Sequence, residues 1–122
     1  MNPSIQQPNV TVVIPTYKRA DILPVMLEAF MHQTYRNFDL IVVVKPSGDG
    51  TEKLLQEAQN RLRIKTVEQT KGHIVDAYFL GVKYSSGDIV AFLDDDAIPA
   101  NNWLEETVKL FENNEISGIT GD

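Results

Sequence analysis

Residues 91–99 read AFLDDDAIP, so three consecutive carboxylates, Asp94, Asp95 and Asp96, follow directly on an apolar run. Like charges about 5 Å apart at an effective dielectric of about 20 repel by roughly 3 kcal/mol per pair. A hard divalent cation offsets that repulsion. Magnesium typically takes one or two protein carboxylates and completes its shell with water and phosphate oxygens. If the segment stays extended, Asp94 and Asp96 point to one face and Asp95 to the other. Asp94 and Asp96 are therefore the candidate metal ligands. The competing explanation is a solvated turn that caps the next helix. The triplet's place at the end of an apolar strand favours the metal.

Other groups with chemical potential lie in PTYKR, residues 15–19, where Tyr17 is followed by Lys18 and Arg19. These cations and Lys71 could approach a phosphate; for Lys18 and Lys71 ordinary surface charge is the simpler account. His73 follows Gly72 at an expected helix start and is a minor phosphate candidate, while His32 is expected to be structural.

The elements that must hold these groups alternate. Val10–Ile14 is a β-branched run stopped by Pro15, a buried strand. A helix follows, capped by Asp21, with Pro24 in its first turn and Leu23, Met26, Leu27, Phe30 and Met31 on one face. Residues 38–45 form a second strand. A helix capped by Asp49 or Thr51 runs through Leu62, and 63–69 alternates like an edge strand. A glycine-led helix closed by Gly87, an apolar strand over 88–94 and a helix capped by Asn101 or Asn102 complete the order. EISGITG begins a fifth strand. Alternating strands and helices predict an α/β, Rossmann-like domain, a mostly parallel sheet with helices on both faces. Ligands in such sheets sit beyond the carboxyl ends of the strands, where PTYKR and DDDAIP both fall.

The chain has 122 residues, which fits one domain over 10–122 preceded by a flexible arm at 1–9. The absence of cysteine excludes a disulfide framework and thiolate zinc sites. A net charge of −6 argues against nucleic acid as partner, since phosphate backbones need a basic surface. The longest apolar runs are far short of the roughly 20 residues that cross a bilayer, and the first residues carry no signal-peptide pattern. The cytoplasm, or the cytoplasmic face of a membrane, is the expected compartment.

VTVVIPTYKR, HQTYRNFDLIVVV, SSGDIVAFLDDDAIPANNWLEETVKLF and ITGD occur in that order. Together they resemble family 2 glycosyltransferases, and more closely the amino-terminal, nucleotide-sugar-binding half of their GT-A domain, from about Val10 to the last residue. The resemblance implies metal-dependent transfer of a sugar from a nucleotide-diphospho-sugar to an acceptor hydroxyl, with inversion. It implies that Pro15, Thr16 and Tyr17 line the nucleotide pocket, with Tyr17 near the base. Arg19 in the same stretch, and Ser47 as the matching serine after the second strand, complete the nucleotide-binding set. Asp94 and Asp96 would hold Mg2+ or Mn2+ against the diphosphate, and Asp95 would contact ribose or sugar. The acceptor, whether saccharide, lipid carrier or protein, is not specified.

Three departures qualify the resemblance. Where the family has two aspartates and a glycine after the second strand, Val44, Lys45 and Pro46 stand here. A lysine accepts no hydrogen bond from a base N–H, so either the donor is not uridine-based or the base is read through backbone carbonyls, and Lys45 could instead pair with Asp49 or a phosphate. AYFLG, residues 77–81, replaces a polar Arg-Asn pair with Tyr78 and Phe79, expected as core. The family's catalytic base and acceptor pocket lie in a second half that this chain does not reach. It is therefore expected to bind nucleotide and metal, to transfer sugar poorly or not at all, and to expose apolar surface that favours self-association. A nucleotidyltransferase or a non-catalytic nucleotide-binding module are the alternatives. The first normally carries a glycine-rich loop after the first strand, and PTYKR has no glycine.

Overall fold

The structure, a computed structural model, describes residues 7–112. The elements are β1 (Val10–Thr16), α1 (Leu23–Met31), β2 (Phe38–Val44), α2 (Thr51–Ala58), β3 (Ile64–Glu68), α3 (Ile74–Tyr84), β4 (Ile89–Phe92) and α4 (Trp103–Phe111). All strand pairings are parallel and the sheet order is β3-β2-β1-β4. The fold is therefore the expected α/β, Rossmann-like sheet. The expected fifth strand and the ITGD motif lie outside the described residues.

The strand side chains divide between two faces with period two. Val10, Val12 and Ile14 of β1 and Leu40, Val42 and Val44 of β2 pack with α1, α2 and α4 through Leu23, Met26, Phe30, Leu55, Leu104 and Val108. Val13, Ile41, Val43 and Val67 form the opposite face with Ala77 of α3. Thus α3 alone covers the second face among the described residues. It approaches β1 closely, because a Cβ on Gly81 would collide with Val13 Cγ1.

The chain crosses from β1 to β2 to β3 with α1 and α2 on one face. It then returns over the other face with α3 to lay β4 on the far side of β1. This reversal makes the gap between the ends of β1 and β4 the switch point where ligands bind in such sheets. Pro15 shapes that gap. It does not stop β1 as expected, since pairing with β2 continues through Pro15↔Val43 and Thr16↔Val44. Pairing with β4 ends at Val13↔Phe92, and Leu93 N donates to Val13 O at 3.1 Å. Proline has no N–H for the next rung. It falls on the side where that rung would reach β4, so the two strands part.

Other boundaries shift for local reasons. Asp21 does not cap α1. Arg19 O instead accepts from Ile22 N at 3.0 Å and Leu23 N at 2.8 Å, so the loop turns back on itself. Helix α2 ends at Ala58 rather than 62, and β4 stops at Phe92 rather than 94. Residues 7–9, read as part of an arm, are anchored: Gln7 O accepts from Asn37 Nδ2, Pro8 O from Tyr35 Oη, and Asn9 N donates to Asp88.

Candidate functional site

The carboxyl rim of the sheet carries a cavity of about 400 Å³. From β1 and the loop after it come Pro15, Thr16, Tyr17 and Arg19; Lys45 follows β2 and Gln69 follows β3. Gly72, His73, Ile74 and Ala77 come from the start of α3, and Asp94, Asp95 and Asp96 follow β4. All the expected site residues except Ser47 line it. The Ser47 hydroxyl turns instead to Asp49, whose carboxyl is held down at about 2, chiefly by the Thr51 hydroxyl. Asp49 Oδ1 accepts from Thr51 Oγ1 at 2.7 Å and Thr51 N at 3.2 Å, and Oδ2 from Ala20 N at 3.3 Å. Asp49 thereby ties the loop after β2 to the loop after β1.

The acidic triplet is not extended. Residues 94–97 form a turn closed by Ala97 N donating to Asp94 O at 3.1 Å. The alternation that assigned Asp94 and Asp96 to one face therefore does not apply, and each carboxylate is directed by its own partner. Asp94 Oδ1 accepts from Tyr78 Oη at 2.8 Å. Asp95 accepts from Tyr17 N at 3.4 Å and lies 3.4 Å from Arg19 Nε. Asp96 is exposed on the cavity wall and bonds no other described residue.

Tyr78 was expected as core. It is half-buried, packed against the cluster on the second face of the sheet and edge-on against Phe92 with centroids 5.1 Å apart. Burial, then the bond to Asp94 and the charges of Asp94 and Asp95, push its hydroxyl up to about 12. Phe79, also expected as core, is 70% exposed. The helical period placed both on α3 but not which side of α3 faces the sheet.

Thr16 is 4% exposed and lines the cavity, yet its Oγ1 has no hydrogen-bond partner. Buried hydroxyls are normally satisfied, and one left bare costs roughly 1–3 kcal/mol. Lys45 does not pair with Asp49. Its Nζ donates to Gly72 O at 3.4 Å and lies 5.6 Å from the centroid of the Tyr17 ring. Lys71 is not on the cavity wall; His73 is.

Sequence reasoning missed Gln69 and Gln33. Gln69, buried, donates through Nε2 to Lys71 O at 3.2 Å and His73 O at 3.0 Å, shaping the loop before α3. Gly72 sits in that loop at φ +100°, where a Cβ would also meet Asp76 Oδ2 at 2.6 Å. Gln33, 2% exposed, donates to Ala100 O at 2.6 Å and accepts from Leu104 N at 3.1 Å. It clamps the segment that follows the acidic turn to the end of α1. No pattern in the sequence marks either glutamine as buried.

No three His, Cys, Asp or Glu side chains among the described residues converge into a ready-made metal cage. The donor set still suits a hard cation, because magnesium and manganese sites on nucleotides need only one or two protein carboxylates and take the remainder from phosphate and water. Asp96, unengaged and exposed, and the second oxygen of Asp94 are the available donors.

Residues 11–122 match the profile of the family described as glycosyl transferase family 2. The chain belongs to that family. It is 32% identical over 114 residues to the UDP-Glc:alpha-D-GlcNAc-diphosphoundecaprenol beta-1,3-glucosyltransferase WfgD of Escherichia coli, covering 93% of this chain and 45% of that protein. It is also 32% identical over 120 residues to the glycosyltransferase AglE of Haloferax volcanii, covering 94% of this chain and 39% of the relative. Among solved structures, the mannosyltransferase PcManGT from Pyrobaculum calidifontis, in complex with GDP-Man and Mn2+, superposes with a TM-score of 0.78 at 31% identity. That match covers 84% of this chain and 32% of PcManGT. S. aureus TarS shares the fold, with a TM-score of 0.80 at 20% identity over 93% of this chain and 22% of TarS. The family 2 chain thus spans less than half the length of these relatives. Among its described residues no helix is long and apolar enough to cross a membrane.

Proposed function

We propose that the chain is the donor-binding part of a glycosyltransferase. It would hold a nucleotide-diphospho-sugar along the rim from Lys45 to Asp96 and serve metal-dependent transfer of the sugar to an acceptor hydroxyl. The unsatisfied Thr16 Oγ1, buried in the wall of a cavity that ends in three carboxylates, carries this reading. It needs a polar partner from a ligand, and the carboxylates need a cation.

Each residue has a part. Tyr17, 47% exposed, offers an aromatic face at the mouth of the cavity. Thr16 would donate to ribose or phosphate. Asp94 and Asp96 would hold Mg2+ or Mn2+, and Asp95, fixed by Arg19 and Tyr17 N, would accept from a ribose or sugar hydroxyl. Arg19 would position Asp95 through Nε and keep its remaining N–H groups on the cavity wall for phosphate. A divalent cation bound there supplies Lewis-acid stabilisation of the nucleoside diphosphate leaving group. Inversion is what family membership implies. Support for a nucleotide donor and manganese comes from PcManGT, whose structure holds GDP-Man and Mn2+, and from WfgD, whose name specifies UDP-Glc and a diphosphoundecaprenol-linked acceptor.

Thermal unfolding with nucleoside diphosphates and manganese tests this. A ligand at 100 times its dissociation constant adds about 2.7 kcal/mol of stability. A shift that requires both nucleotide and metal, and that Asp96→Ala abolishes, is expected. A shift with inorganic phosphate alone, or none with any nucleoside diphosphate, overturns the reading.

A further inference from the structure

We propose that Lys45 reads the base of the bound nucleotide and makes this pocket favour guanine over uracil. The inference rests on the donor-binding reading above and extends it to the choice of donor.

Lys45 is the residue after β2, whereas the acidic turn follows β4, and β1 lies between them. At about 4.8 Å per strand, the two ends of the rim are roughly 10 Å apart. Lys45, Tyr17 and the carboxylates line one cavity, so a nucleotide whose diphosphate sits at the carboxylates has room for its base at Lys45 and the Tyr17 ring.

The Lys45 ammonium spends one N–H on Gly72 O, at 3.4 Å, and packs over Tyr17, so two N–H groups remain for a ligand. The neighbouring Gln69 amide has committed its Nε2 to Lys71 O and His73 O. Lysine donates and never accepts. The base that suits it presents acceptors side by side. Guanine does so with O6 and N7, whereas adenine pairs N7 with an amino donor, and uracil, like thymine, offers only O4 on that edge. On that edge uracil O4 is flanked by C5–H, so the ammonium finds one acceptor there rather than two.

Calorimetric titration of GDP, UDP and ADP in the presence of MnCl2 tests the proposal on the unmodified chain and on Lys45→Ala, Lys45→Arg and Lys45→Asp. The unmodified chain is expected to bind GDP roughly tenfold tighter than UDP, the discrimination of one good base contact. Lys45→Ala should erase that ratio by weakening GDP, and Lys45→Arg should keep it. Lys45→Asp should turn the preference toward UDP, since a carboxylate accepts from N3–H. The melting temperature of each unliganded variant shows that it is folded, and Lys45→Arg retains the charge if Lys45→Ala does not fold. Equal weakening of all three nucleotides by Lys45→Ala, or a preference of the unmodified chain for UDP, overturns the base assignment and leaves the donor-binding reading intact. No binding of any nucleotide to the unmodified chain overturns both.

Discussion

The Tyr78 hydroxyl donates to Asp94 Oδ1 at 2.8 Å, joining the helix on one face of the sheet to the acidic turn at its rim. One carboxylate oxygen is thereby occupied, which leaves the other to face the cavity. Tyr78→Phe keeps the edge-on contact with Phe92 and removes only this bond. A hydrogen bond to a charged group contributes roughly 1.5–3 kcal/mol, less where half-exposed, so stability should fall by about 1 kcal/mol in urea. Affinity for the manganese–nucleotide pair should fall several-fold. The hydroxyl titrates near 12 in the folded chain against about 10 when unfolded. Its contribution is therefore complete below pH 10 and is lost as pH rises toward 12. That alkaline loss should be smaller in Tyr78→Phe.

Asp49 works in the opposite pH range. Its carboxyl, bonded by Thr51, Ser47 and Ala20, is lowered from 3.8 to about 2. A depressed carboxyl stabilises the fold above its unfolded value, and that contribution fades as pH falls from about 4 to about 2. Carboxyl NMR should show a midpoint near 2, moving upward in Thr51→Val. A midpoint near 4 in the unmodified chain would contradict the structure.

Gln33→Ala would strand the buried Leu104 N–H and free Ala100 O. An unmet buried donor costs about 1–3 kcal/mol. The urea midpoint should fall accordingly, and metal–nucleotide affinity should fall with it, because the segment after the acidic turn loses its clamp. Unchanged affinity in the folded variant would show that the turn holds itself.

Gly81→Ala should destabilise without touching the cavity. Alanine gains roughly 1 kcal/mol of helix propensity, but the collision with Val13 forces repacking that costs about 1–3 kcal/mol. Adding Val13→Ala should relieve the strain, a non-additivity that a double-mutant cycle on thermal stability would read out.

Val75, Phe79 and Val82 follow one another at helical spacing on the outer side of α3, exposed by 59%, 70% and 43%. An apolar stripe of this kind favours association. Sedimentation should show concentration-dependent oligomers that Phe79→Glu disperses, with nucleotide binding unaffected.

How far the sequence carried the reading depends on the physics of each feature. The buried runs VTVVI and LIVVV read as strands by their length and β-branched composition, and the 3.6-residue spacing of Leu23, Met26, Leu27 and Phe30 reads as a helix. Their alternation fixed a parallel α/β sheet, because parallel strands need crossovers. The acidic triplet and PTYKR were legible as rim residues for the same reason. These are local or periodic properties, written in consecutive residues. Proximity between segments distant in the chain was not written there. Tyr78 meeting Asp94, Arg19 meeting Asp95, Lys45 over Tyr17 and Gln33 bridging to Leu104 all depend on which strands become neighbours and which face of α3 turns inward. The turn at 94–97 likewise formed because β4 parts from β1 beyond Pro15. The sequence alone determined which residues would stand at the edge of the sheet. Only tertiary packing decided which carboxylates were taken by partners and which were left open, since hydrogen bonds reach about 3 Å and only the folded chain brings those groups that close.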